Sequence, residues 1–246
     1  MARSTFTTGN FLLGAAIACG LIISSLLVTD TIKYVKRSTQ TINVKGYAEK
    51  TIKSNLGVWQ IALSSFSSDK LSAYQNLESD INTTMEYLKT KGINGNDIRK
   101  EAVNAFPNFR LNENGNQTNE LLGYTLSMNL VVTSKNVDLI DKLSRSSTEL
   151  IKKGVNFNSM NPSFYYTKLD DLKIKMLMIA AKDARMRAEK LAESNDCRID
   201  RLITARQGVF QLTSEYSSET SDDGYYDLGS INKTIKAVVT MEYTFD

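Results

Sequence analysis

The strongest periodicity in the chain lies between Lys168 and Asn195, KLDDLKIKMLMIAAKDARMRAEKLAESN. Leu169, Leu172, Met176, Ile179, Ala180, Ala184, Ala188 and Leu191 recur at steps of three and four, which predicts an amphipathic helix. Asp171/Lys175, Asp183/Arg187 and Arg185/Glu189 stand four residues apart on the other face. Alanines in the middle of the apolar stripe predict close approach to another surface, most simply a β-sheet. The pattern reads as a core helix with a solvated outer face rather than a binding helix.

The same reading orders the rest of the chain. Phe11 to Val28 is apolar and uncharged, long enough for about 27 Å of helix against the roughly 30 Å hydrocarbon core. No small-residue cleavage site follows Val28, so the run reads as an uncleaved signal anchor after a polar leader, residues 1–10. Cleavage near Ser24–Thr31, or a lipoprotein signal ending at Cys19, are the competing readings. Residues 29–40 form a basic linker. Lys33, Lys36 and Arg37 beyond the run, against Arg3 before it, favour a cytoplasmic C-terminal domain by charge, whereas an N-terminal apolar segment favours export.

From Thr41 the period becomes two: TINVKGYAEKTIK and LGVWQIALSSF read as strands with a turn or bulge at Ser54-Asn55. Asp69–Lys91 reads as a helix with Leu71, Tyr74, Leu77, Ile81, Met85 and Leu88 inward, Asp69 or Ser68 as N-cap and Gly92 as C-cap. Glu101–Arg110 and Leu121–Ser134 read as strands about a polar turn, and Asn136–Lys153 as a second helix with Val137, Ile140, Leu143, Leu150 and Ile151 inward. Val155–Phe157 and Ser163–Lys168 are short strands. Arg198–Leu212 is largely strand, Thr213–Ser230 a mobile loop, and Ile231–Phe245 the closing strand. Helix, strand, polar loop and long strand thus occur at 69–134 and again at 169–245, a weak internal α-β-β repeat. The expected fold class is α+β: antiparallel sheets covered by amphipathic helices, preceded by one transmembrane helix.

Composition narrows the chemistry. The 246 residues carry no histidine, which removes Ser-His-Asp and Cys-His catalysis and histidine-ligated zinc. Cys19 and Cys197 are the two cysteines, with no cluster to hold a metal. The net charge of +3 is too small and too scattered for a nucleic-acid footprint. No Ser-x-x-Lys pair stands at a strand–helix elbow, and no glycines cluster as a phosphate loop. Asp222, Asp223, Asp227 and Glu219 could offer oxygens to Ca²⁺, but a solvated acidic loop explains them better. Asp170-Asp171 reads as charge at a helix N-terminus rather than a catalytic pair. Tyr225 and Tyr226 are candidate interaction residues. No catalytic, cofactor or metal residue is expected.

Val44-Lys45-Gly46-Tyr47-Ala48-Glu49, Gly123-Tyr124, Gly154-Val155 and Ala180-x-x-Asp183-Ala184-x-x-x-Ala188-Glu189-x-Leu191-Ala192 together resemble the SIMPL-domain family of exported bacterial proteins, over roughly 41–246. Ser54-Asn55 departs from the family, where Ala or Pro then Asp is usual. The resemblance implies an α+β fold, a periplasmic location and ring-like homo-oligomers, and it implies no catalytic residues. It tips the orientation outward. The expected protein is a non-enzymatic envelope protein of the inner membrane. Its domain at 41–246 would be a self-association or interaction module, with no nucleic-acid partner and an expected link to envelope stress. The alternatives are a carboxylate-dependent hydrolase, or ion or ligand binding by the acidic loop 213–230.

Overall fold

In the computed structural model the described residues are 4–38, 40–217 and 219–245; the side chains of 4–12, 30, 31 and 33–38 fall outside them. Phe11 and Leu12 of the predicted span, and the flanking Arg3, Lys33, Lys36 and Arg37, are therefore among the residues whose side chains lie outside the description. Helix α1 (Ser4–Ser38) contains the whole apolar run. The predicted span is thus helical, but among the described residues no helix is long and apolar enough to cross a membrane.

The elements that follow are β1 (Thr41–Lys53), β2 (Leu56–Ser67), α2 (Lys70–Thr90), β3 (Ile98–Lys100), β4 (Asn104–Leu111), β5 (Gln117–Ser134), α3 (Val137–Ser146), α4 (Glu149–Lys152), β6 (Phe157–Ser159), β7 (Ser163–Tyr165), α5 (Leu169–Glu193), β8 (Ile199–Gln207), β9 (Gln211–Ser214), β10 (Tyr225–Tyr226) and β11 (Asn232–Phe245). The α+β class holds, with antiparallel ladders and one short parallel pair, β9–β10. The chain divides into two compact units: residues 1–48, 174–209 and 237–246, and residues 49–173 and 210–236.

In the second unit, β5 and β2 pair antiparallel from Ser134–Gly57 to Tyr124–Ser67. β3 and β4 flank β5, and β6 and β7 flank β2. One face carries Trp59, Ile61, Leu63, Leu126, Met128, Leu130 and Val132, all buried. Helices α2 and α3 cover it through Ala73, Leu77, Leu88, Val137, Ile140 and Leu143. Each fully buried Leu or Ile contributes about 1.5–3 kcal/mol, so this layer dominates the unit's stability. Trp59 satisfies its buried indole N–H on Ser159 Oγ at 3.0 Å. Asp69 caps α2 by accepting from Ser72 N at 2.9 Å, and that bond holds its carboxyl below the usual value.

Three sequence expectations need correction here. Leu71 and Tyr74 of α2 are exposed, because Ala73 and Thr84 take the inward positions instead. The helix expected over Asn136–Lys153 breaks at Ser147-Thr148, where serine hydroxyls bond back to the preceding turn (Ser147 Oγ to Ser144 O, 2.7 Å), and the break turns Ile151 outward. The strand expected at Glu101–Arg110 starts late, as β4 from Asn104; residues 101–103 are irregular, a separate short strand β3 precedes them at Ile98–Lys100, and Pro107 lies in β4, which pairs with β5 at the sheet edge.

In the first unit, β1 and β8 flank β11, and the part of α5 from Ile174 onward packs by its alanines. Ala180, Ala184 and Ala188 are buried, as are Met176 and Ala192. Ile179 and Leu191, expected in the stripe, are exposed; Ala192 replaces Leu191 because the contact surface follows the short side chains. Gly46 on β1 shows why. A Cβ there would overlap the Ala180 carbonyl oxygen and sit 2.5 Å from Ala184 N and 2.7 Å from Ala184 Cβ. Strand and helix backbones meet directly, a spacing that only glycine facing alanine permits. The Tyr47 N–H beside it donates to Asp183 Oδ2 at 2.8 Å, so the strand edge is closed by a helix carboxylate. Asp183 also accepts from Arg187 Nε at 2.8 Å.

Gly46→Ala is expected to lower stability by about 3 kcal/mol or abolish folding, since neither backbone can retreat. Gly14→Ala, with nothing within 4 Å of its Cβ, serves as control and leaves the urea midpoint unchanged. Asp183→Ala removes a charged acceptor from Tyr47 N–H and is expected to cost about 1.5–3 kcal/mol in the same urea titration.

Candidate functional site

The loop from Thr213 to Asn232 carries most of the residues that the sequence singles out. It is tethered rather than free. Gln211 Nε2 donates to Ser221 O at 2.6 Å, and Asp227 N donates to Leu212 O at 2.8 Å. Tyr225 and Tyr226 form β10, aligned with Gln211 and Leu212 of β9. Both tyrosines are exposed, and Lys173 Nζ lies 5.4 Å from the Tyr226 ring centre and 5.9 Å from that of Phe210. A cation between two rings contributes about 0.5–1 kcal/mol at an exposed site. The Glu219 charge and its hydrogen bond hold the Tyr225 hydroxyl above its usual pKa.

The acidic residues do not converge. Among the described residues no three His, Cys, Asp or Glu side chains are grouped to hold a metal ion. Asp222 and Asp223 are exposed, while Asp227 turns inward to Lys233. Asp170 and Asp171 open α5, where Asp170 lies 3.9 Å from Lys173.

Lys233 is the residue that sequence reading passed over. It sits in β11 with 0% of its side chain exposed, and its Nζ donates to Asp227 O at 2.6 Å. Asp227 Oδ2 stands 3.6 Å away, and Asp227 Oδ1 accepts from Gly229 N at 2.8 Å. Burial pushes the Lys233 ammonium below its usual pKa, and the Asp227 charge opposes that shift. Burial works to raise Asp227, but hydrogen bonds from Ser230 and Gly229 and the Lys233 charge outweigh it and hold the carboxyl low. Lys233 keeps the period-two phase of Ile235, Ala237 and Val239, which places it on their inward face, and the turn that holds Asp227 supplies its partner. The pair does structural work: it locks the 227–233 turn, from which Leu228 O accepts Phe164 N at 2.7 Å and Ile231 O accepts Ser54 N at 2.8 Å.

Ser54-Asn55 also has a structural role. Asn55 Nδ2 donates to Thr167 Oγ1 at 3.0 Å, and Asn55 Oδ1 accepts from Thr167 N at 2.9 Å. The side-chain amide clamps both groups of one residue. An aspartate there would supply the acceptor alone, so no negative charge is needed.

Two open clefts lie in the first unit. One of about 430 Å³ is lined by Thr41, Ile42, Leu191, Ala192, Asn195, Cys197 and Phe245. The Cys197 thiol donates to Asn195 O at 3.3 Å. The other, about 510 Å³, is lined by Asn43, Val44, Lys45, Arg187, Lys190 and Leu191. Arg187 and Lys190 are already paired, to Asp183 and Glu193 at 2.8 Å each. Neither cleft joins a nucleophile to an acid–base pair.

The Asp227 carboxyl has a folded pKa below its unfolded value, so its stabilisation is present above about pH 4 and is lost as pH falls through the folded pKa. Asp227→Asn is therefore expected to lower stability near neutrality and to flatten the fall in urea midpoint as the pH drops below about 4.

Comparison with curated proteins returns no match. Comparison with family models returns one whose span runs from β1 into β11, described as a protein of unknown function (DUF541), and it contains each of the close-packing residues above: Gly46, Asn55, Asp183 and Lys233. Over residues 42–243 the chain belongs to the SIMPL family.

Proposed function

We propose that the protein is a membrane-anchored, non-enzymatic envelope protein whose SIMPL domain lies outside the cytoplasm and serves as a self-association and protein-interaction module. The observation that carries this reading is the state of helix α1. Every described residue from Leu13 to Thr29 is exposed, and Leu13, Ile17, Leu21, Ile22, Ile23, Leu26, Leu27 and Val28 are large apolar side chains distributed around the helix. Such a helix loses about 25 cal/mol for each Å² of apolar surface left in water, and a lipid phase is the environment that removes the cost.

The fate of the sequence motifs supports the same reading. Gly46, Asp183 and the alanines of α5 are occupied in holding helix to strand, and Asn55 in clamping Thr167. None is left pointing at a substrate. A domain whose most distinctive residues are spent on internal packing presents surfaces rather than a reaction centre.

Protease digestion of cells decides the arrangement. The domain is expected to survive protease added to intact cells and to be degraded in spheroplasts, with the chain remaining in the membrane fraction after alkaline carbonate extraction. Survival in spheroplasts, or release by carbonate, would refute it.

A further inference from the structure

Among the described residues, strand β8, Ile199–Gln207, pairs with β11 alone. The two edges of this ladder are treated differently. On β1 the Tyr47 N–H is capped by Asp183 and Gly46 lies beneath α5. On β8, among the described residues, the hydrogen bonds formed by the backbone run to β11, including Arg201 N to Thr244 Oγ1 at 3.2 Å. The strand is also uncovered: only Ile199 and Thr204 are half-buried, and Leu202 and Ile203 are 46% and 42% exposed. A nine-residue edge with open backbone groups and bare aliphatic side chains is a template for a further strand.

The charges of β8 say which strand. In a two-fold antiparallel pairing one residue lies on the axis, and residues equally distant from it face each other. With the axis at Ile203 the strand matches itself end to end, Ile199 facing Gln207, and Asp200 of each copy faces Arg206 of the other. An axis at Leu202 would set Arg198 against Arg206, and one at Thr204 would face Arg206 with Leu202. Axes at Asp200, Arg201 or Arg206 oppose like charges, and one at Ala205 brings no opposite charges together within the strand. The ladder to β11 is irregular on both sides of Leu202: it skips Ile203, since Thr204 pairs with Glu242 and Leu202 with Tyr243, and it shifts again over Asp200-Arg201 before Ile199 pairs with Phe245. Neither Asp200 nor Arg206 forms a salt bridge among the described residues. Arginines and a bulge also serve to guard an edge, but a guard needs no acid at the symmetric position.

We propose that β8 is a homotypic interface in which two copies of this chain pair antiparallel about Ile203, each Asp200 facing the other copy's Arg206. The inference rests on the self-association read above and names the surface that performs it.

The test uses the full chain in detergent micelles, followed by sedimentation. Asp200→Arg and Arg206→Asp each set like charges face to face twice, and each is expected to raise the dissociation constant about tenfold or more. The combined variant restores both pairs and is expected to return to within about twofold of the parent. In a Cys19→Ser, Cys197→Ser background, Ile203→Cys is expected to give an oxidised dimer. Ile199→Cys, about 26 Å from its own copy across the axis, is expected to give none. Self-association that neither single variant weakens would overturn the β8 interface and leave the proposed function standing. A parent chain that stays monomeric at every concentration would overturn both.

Discussion

The contact between Gly46 and the alanines of α5 sets the geometry of the first unit. Helix and sheet usually meet through a layer of side chains about 10 Å thick, but here the strand backbone lies against the helix backbone. Short side chains on both surfaces are the condition for that approach. The approach in turn brings Asp183 within reach of a strand N–H that would otherwise point from an open edge. One spacing therefore settles three things: the identity of the residue at 46, the small residues along α5, and the closure of β1. β1 is thus capped at Tyr47, whereas among the described residues the backbone of β8 bonds to β11.

The second unit is organised on other physics. A long antiparallel ladder, β2 with β5, presents one dry face to α2 and α3, and large aliphatic and aromatic side chains fill the gap. Gly123 marks where that ladder ends: its φ of 153° and the closeness of Ser67 O exclude any side chain. Lys233 and Asp227 then fix the returning turn onto the sheet edge. A buried lysine is a poor source of stability when compared with a well-packed aliphatic, but removal of its partner leaves a charge with no water and no counterion. The pair therefore specifies the turn more than it strengthens the unit. The helix–strand–strand order seen in α2, β4 and β5 recurs in α5, β8 and β11, with β2 and β1 as the additional strand in each case.

Much of this could be read from residue order. Period two located β1, β2, β5 and β11 to within a few residues, and period three to four located α2 and α5. The Asp69 cap and the role of the alanines follow from local rules that tertiary contacts did not disturb. The misplacements share one cause: the face of a helix that turns inward depends on what lies opposite. Leu71, Ile151, Ile179 and Leu191 have the hydrophobicity of core residues and are exposed, because the opposing surfaces accept smaller side chains or a redirected backbone. Tyr225 and Tyr226 were legible as exposed aromatics; the Lys173 ammonium against Tyr226, far earlier in the chain, was not.

By itself the sequence determined the composition of each element, the absence of histidine chemistry, an apolar N-terminal helix and the order of helices and strands, because these depend on neighbours within a few residues. Tertiary structure decided which strand edge is capped and which is bare, what Lys233 pairs with, and that Asn55 and Asp183 are clamps for backbone groups. The two clamps depend on residues more than a hundred positions apart meeting within hydrogen-bond distance, as Asn55 and Thr167 do at 3.0 Å and Tyr47 and Asp183 at 2.8 Å. No local pattern encodes such a meeting, since it exists only once the backbones have packed.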